Sequence, residues 1–339
     1  MPPADSRHQP SFEFSAVIKQ RRTEGAQRSD TGIAFQCPFV FQGAVAFFAE
    51  RSFLTRLEEG ASTVLRDKVK GQTAHANSMP SSFTVRVYNV SVLVEAPGSE
   101  VSSLLDRHIL PSLPRRDPAP VMPDICVRVV QADEQLQLSI QDSLVKVAST
   151  ANDLIVPLIK VLDDEIIARL DTLRAIHSGA VVCEDRAILL PGSTHSGKSS
   201  LVAELVRRGA TYFSDEFALI DPDGCVHPYP RPLLLRNGRP RQIPVLPENL
   251  KATVGCAAVP VGWIFALRYE PDCGWEVAPI PQSEAVLTLL KNTPHFLAES
   301  PEVLGSFQKA ASGAKCYTGC RPDVLPAVDE IMRLIHHST

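Results

Sequence analysis

The stretch "FTVRVYNVSVLVEA" (83–96) places Val85 and Val87, then Val90, Val92 and Val94, at every second position, as strand faces require. Downstream, "SEVSSLLDRHIL" has helical spacing, and "DICVRVVQ" and "QLQLSIQDSLVKVAS" read as further strands, with the Pro-rich "PSLPRRDPAPVMP" between. This pattern predicts a small mixed α/β unit over residues 81–165. The period then turns helical in "DLIVPLIKVLDDEIIARLDTLRA", with Ile166, Ile167, Leu170 and Leu173 at helical spacing, and a second domain, 166–339, is expected to start there. "HSGAVVCEDRAILLPG" reads as strand, two-residue turn at Glu184-Asp185, strand. "KSSLVAELVRRG" is an amphipathic helix that Gly209 can end, and "ATYFSDEFALIDPDG" returns as a strand. Residues 1–80 lack such a period. The first thirty or so are polar and rich in Arg and Ser, which predicts a mobile or weakly structured leader.

Composition narrows the function classes. The chain has 339 residues, 44% of them apolar and 21% charged, which is ordinary globular usage. A net charge of −4, with 34 Lys and Arg scattered along the chain, gives no basic face for nucleic acid. The most apolar window, "IAFQCPFVFQGAVAFFA" (33–49), is short for a membrane span and holds two Gln and a Pro, so it reads as a docking or core segment. The opening residues are too polar for a secretory signal. The eight cysteines show one C-x3-C pair, Cys316 and Cys320, with no second pair at zinc-site spacing. They read as buried or inert thiols in a reducing cytoplasm.

The chemistry concentrates in "LLPGSTHSGKSS". Gly192, Ser193, Thr194, His195, Ser196, Gly197, Lys198 and Ser199 complete G-x4-G-K-[ST], and Ser200 follows. A buried-strand run precedes the motif and a helix follows it. Glycines let backbone amides curl round phosphate oxygens, and the helix N-terminus adds partial positive charge. Lys198 would reach the outer phosphates of ATP, and Ser199 would ligate Mg²⁺. If Cys183 faces Arg186 across the preceding hairpin, His177 lies opposite Gly192, beside the loop. Asp215 and Glu216 stand where a right-handed strand-helix-strand unit returns to the same edge. Paired acids there can hold Mg²⁺ and deprotonate an attacking hydroxyl. Arg231 and Arg236, in "HPYPRPLLLRNGRPR", are candidates for offsetting phosphate charge.

The string "HSGAV…LLPGSTHSGKSSLVAELVRRGATYFSDEFALID…YPRPLLLR" resembles the catalytic domain of HPr kinase/phosphorylase and its relatives, a fold shared with phosphoenolpyruvate carboxykinases. The resemblance covers about residues 170–240 and, loosely, the rest of the C-terminal half. It implies a P-loop kinase domain behind the small α/β domain, with ATP and Mg²⁺ as cofactors. His177 would sit near the transferred phosphoryl group, and Lys198 and Ser199 would bind phosphate and metal. Asp215 would be the catalytic base, and Glu216 would ligate magnesium where the family has a second Asp. No counterpart of "E-I-R-G" follows the acids and no "P-G-R-N" stands near the C-terminus, which weighs against HPr recognition and reverse phosphorolysis. The layout is more similar to the HPr-kinase-like proteins of peptide-modification clusters, some of which phosphorylate a serine of a precursor peptide. A cytoplasmic serine kinase acting on a protein or peptide, without nucleic-acid or membrane partners and forming a homo-oligomer, is the expectation. A small-molecule hydroxyl kinase and a non-catalytic nucleotide-binding module are the alternatives.

Overall fold

The computed structural model describes residues 80–111, 115–116, 122–193, 196–236, 238–294 and 301–337. The expected leader up to residue 79, the apolar window 33–49, and Thr194 and His195 lie outside the described residues.

The valine alternation forms a hairpin of two strands. Strands β1 (Pro80–Val87) and β2 (Val90–Pro97) pair antiparallel with Val87 opposite Val90. Tyr88, at a φ of 56°, makes the turn between them. Val85, Val87, Val90, Val92 and Val94 are all buried on one side of this ribbon. Helix α1 (Gly98–His108) follows, then the short β3 (Arg115–Arg116), β4 (Ile125–Ala132), β5 (Gln135–Ile140) and β6 (Ser143–Ala148). The six-stranded sheet runs β3-β1-β2-β4-β5-β6, and only the β2–β4 pair is parallel. Helix α2 (Asn152–Ile167) covers it with Leu154, Ile155, Leu158, Leu162 and Ile166. Its helical period stops at Ile167, and Leu170 and Leu173 are buried beyond its end.

The next sheet surrounds the glycine-rich loop. Its elements are β7 (Arg174–Cys183), β8 (Arg186–Pro191), α3 (Lys198–Arg207), β9 (Thr211–Ser214), β10 (Phe217–Ile220) and β11 (Cys225–His227). The pair β12 (Leu233–Leu235) and β13 (Ile243–Val245) forms a separate ribbon. Then come β14 (Val259–Tyr269), β15 (Glu276–Pro279), α4 (Gln282–Lys291), α5 (Pro301–Ser312), β16 (Lys315–Arg321) and α6 (Val324–His336). The order is β11-β10-β7-β8-β14-β16-β15, with β9 also on β7 and β11 also on β14. β8, β14 and β16 are mutually parallel, so Pro191, Tyr269 and Arg321 end at one edge. One face packs α3 and α6 through Leu201, Leu205, Val328 and Ile331, and the other packs α4 and α5 through Leu289 and Phe307. The core under the first sheet runs on into Ala175, Phe217 and Leu219 of the second and into Tyr229, which follows β11.

Three local features follow the sequence closely. Glu184 and Asp185, with φ of 51° and 58°, make the primed turn that suits hairpin twist. Cys183 faces Arg186, and the register brings the His177 carbonyl to within 3.2 Å of the Gly192 N–H. Gly209, at φ 100°, ends α3, with its N–H on the Val206 carbonyl and that of Ala210 on the Leu205 carbonyl, as a Schellman motif requires. One expectation is corrected. Cys320 is bonded to Cys273 rather than being an inert thiol, while Cys316 is buried and free. Among the described residues no helix is long and apolar enough to cross a membrane.

Candidate functional site

The loop leaves β8 at Pro191 and enters α3 at Lys198. Gly197 stands at the helix entrance with φ +81°, a conformation that costs any residue with a Cβ. The first N–H groups of α3 have no partner within the helix, so this end carries the positive pole of its dipole. Lys198 folds back along the loop, and its Nζ donates to the carbonyls of Gly192 at 2.7 Å and Ser193 at 2.9 Å. It is 7% exposed, and burial lowers its pKa although Glu216 and Asp215 pull it upward. Ser193 and Ser200 are exposed, and Ser199 is half-buried.

Opposite Lys198 lies an acidic flank. The crossover from β8 through α3 returns as β9, which pairs with β7 and therefore runs parallel to β8. The chain breaks between β9 and β10 at Asp215-Glu216, beside β7, where the Ser178 N–H donates to the Glu216 carbonyl at 3.0 Å. Asp215 is 0% exposed, and its Oδ2 accepts the Leu234 N–H at 3.2 Å. Burial raises its pKa, and Arg231 and the Ser199 hydroxyl oppose the rise. Glu216 keeps a 28% exposed side chain, with Oε1 3.6 Å from Nδ1 of His177. Burial acts to raise its pKa too, yet His177, Arg231 and Lys198 together outweigh it and bring the carboxyl down to about 2. The His177 ring also lies on Phe217, 4.4 Å between centroids, and its backbone N–H donates to the Asn292 carbonyl.

Arg231, a candidate for phosphate from the sequence, is instead engaged by carboxylates. Its guanidinium reaches Asp163 at 2.9 Å, Asp215 at 3.3 Å and Glu216 at 3.6 Å. Tyr229 donates its hydroxyl to the other oxygen of Asp163 at 2.7 Å, and Tyr212 donates to the Arg231 carbonyl at 2.7 Å. Three acids share one guanidinium, which leaves this flank negative. Burial pushes Asp163 up to about 7 against the pull of Arg231 and Tyr229. Arg236 is exposed and donates to the Pro240 carbonyl.

On the other flank stands Arg321, at the end of β16. It is 1% exposed. Its Nη2 donates to the Ser196 carbonyl at 3.0 Å and Nη1 to the Pro322 carbonyl at 2.9 Å. Its guanidinium lies over the Tyr269 ring, 5.0 Å from the centroid. A Cβ added to Gly197 would fall 2.2 Å from Nη2, so the missing side chain is what lets the arginine approach the loop.

The structure thus gathers Lys198, Ser199, Asp215, Glu216 and His177 around one loop, joins the candidate Arg231 to the acids, and adds Asp163 and Arg321. Of the two additions, only Asp163 carried a sequence signal. Asp163 occupies a core position of α2, in line with Ile159 and Ile167, where an unpaired acid would be costly. Arg321 follows a strand, but its importance depends on β16 ending at the same edge as β8, which no local pattern reveals.

No protein-family model matches the chain, and no curated protein matches it. Among solved structures the chain is similar to the HPr(Ser) kinase/phosphatase from Coxiella burnetii, at 17% sequence identity and a TM-score of 0.27, over 49% of this chain and 97% of that one.

Proposed function

We propose that the chain is an ATP- and Mg²⁺-dependent kinase of the HPr-kinase-like type, transferring the γ-phosphoryl group to a serine hydroxyl of a protein or peptide. The observation that carries this reading is the loop between β8 and α3. It has two glycines, a helix N-terminus, a lysine folded onto its carbonyls, and beside it an acid pair of which Asp215 is buried and Glu216 half-buried. The residues fit a magnesium nucleotide. Lys198 and the loop amides would hold the phosphates, and the excess of carboxylate over guanidinium around Arg231 calls for a divalent cation. Bound MgATP would supply the phosphoryl group and its electrophilic phosphorus.

Exposure divides the two acids differently from the sequence reading. Asp215 is sealed between Arg231 and the Leu234 amide, with Ser199 lowering its pKa, so it supports the metal side. Glu216 and His177 are the accessible pair, and Glu216 would take the proton of the acceptor hydroxyl while the hydroxyl oxygen bonds to the γ-phosphorus and the bond from that phosphorus to the departing ADP oxygen breaks. The acid that a reacting hydroxyl can reach is the one that can serve as base.

Two measurements test the reading: calorimetry with MgATP, and transfer from γ-labelled ATP to proteins of a cell extract. Lys198→Ala should abolish both binding and transfer, by roughly 3 kcal/mol or more in the transition state. Unchanged binding and transfer would remove the loop from the mechanism. Glu216→Gln should keep MgATP affinity and lose roughly 10²- to 10⁴-fold in transfer. Asp215→Asn should instead weaken the magnesium dependence of binding. The opposite pattern restores Asp215 as base. Binding without transfer to any acceptor would leave a nucleotide-binding module.

A further inference from the structure

Arg321 is a buried cation that has found only neutral partners. Its two terminal nitrogens donate to carbonyls, and its Nε has no hydrogen-bond partner among the described residues. Among those residues no carboxylate lies within ion-pair distance of it. The acid that bears on it, Asp323, does so at longer range and accepts the Tyr269 hydroxyl at 2.9 Å. An isolated guanidinium out of water is expensive, and folds keep one where an anion arrives to meet it. The placement of this one is specific: it ends the strand parallel to β14 and β8, at the edge where open α/β sheets bind ligands, and touches the loop at Ser196.

We propose that Arg321 is a second fixed cation of the nucleotide site, delivered within the same chain by the last strand of the sheet, which holds the loop from the side away from the acids and supplies counter-charge to bound phosphates. This rests on the nucleotide-binding reading of the loop. Lys198 anchors the carbonyls of Gly192 and Ser193, and Arg321 anchors that of Ser196. Gly197 is part of the same device, since any side chain there would displace the guanidinium.

A purely structural arginine and a phosphate-directed one differ in sign. Removing a buried charge that has no ionic partner relieves its desolvation cost, which offsets the two hydrogen bonds lost to carbonyls. Arg321→Met should therefore keep or raise the melting temperature of the nucleotide-free chain, while MgATP affinity falls about tenfold or more. Arg321→Gln drops the charge but keeps a polar group able to reach Ser196, and should show the same loss of affinity. Arg321→Lys should recover most of it. Wild-type affinity in both the Met and Gln variants, with a lowered melting temperature, would make Arg321 a strut and overturn the proposal alone. Failure of the unaltered chain to bind MgATP would overturn the nucleotide reading and this one with it.

Discussion

The two flanks of the loop each bury an arginine, and they treat it in opposite ways. Arg231 is 2% exposed and meets three carboxylates, whereas Arg321 is 1% exposed and meets carbonyls and a tyrosine ring. Surrounding acids raise the pKa of Arg231 although burial works against them, while burial lowers that of Arg321. Equal burial therefore does not mean equal role. The first arginine completes a network built from α2, the β9–β10 break and the segment before β12, and holds it as one object. The second stands at the end of a single strand with its charge unspent. One is matched by three acids, and the other by none within ion-pair distance among the described residues.

The sharpest way to break this contrast is to remove the paired arginine. Arg231→Met leaves Asp163, Asp215 and Glu216 without their shared cation. Breaking a buried ion pair from one side costs about 3–5 kcal/mol, and here three acids are stranded together. Urea unfolding should show that loss, with the opposite sign to the change expected for Arg321→Met. Equal and small effects at both positions would erase the distinction between the flanks.

A smaller effect separates two glycines with the same backbone. Gly197 and Gly209 both have positive φ, 81° and 100°, but only Gly197 has an obstacle, the Arg321 guanidinium. Gly209→Ala should cost about 1–2 kcal/mol of stability from its left-handed conformation and leave MgATP affinity untouched. Gly197→Ala should cost a similar strain and also lower affinity about tenfold or more, because Arg321 and the loop must move apart. Equal affinities in the two variants would detach Gly197 from the phosphate site.

The same contrast explains what was legible in the sequence. The loop motif, the Glu184-Asp185 turn and the Gly209 helix end are local: each depends on residues a few positions apart, and a pattern of that length can be read directly. The valine alternation at 83–96 is just as local: its parity slips by one between Val87 and Val90, and the turn at Tyr88 is what returns both to the same buried side. The partners of Arg231 and the place of Arg321 were not legible. Asp163 lies on a helix assigned to the preceding unit, and Arg321 more than a hundred residues after the loop. Only the strand order brings them to it. Of the candidate site, the glycine-rich loop is readable and most of the charges that frame it are not.

The last and smallest effect tests the acidic flank through pH. Unfolded Asp163 releases its proton near 3.8, and the folded carboxyl holds it to about 7, because burial outweighs Arg231 and Tyr229. Between these values the folded chain binds more protons than the unfolded one. Stability from this group is therefore greatest below the lower value, falls as pH rises through the window, and is level above the upper one. From pH 5 to 7 the decline amounts to at most about 2 kcal/mol, since one pH unit is worth 1.36 kcal/mol per proton. Asp163→Asn keeps the shape and an acceptor for Tyr229 but carries no titrating proton. Melting temperatures of the two proteins, measured without nucleotide from pH 5 to 8, should converge or cross as pH rises, with the wild type losing ground. Arg321→Met should leave that wild-type slope intact, because its flank holds no carboxylate within ion-pair distance among the described residues. Parallel curves for wild type and Asp163→Asn would mean that the Arg231 network keeps Asp163 ionised throughout, and that its three acids are fully served by the single guanidinium.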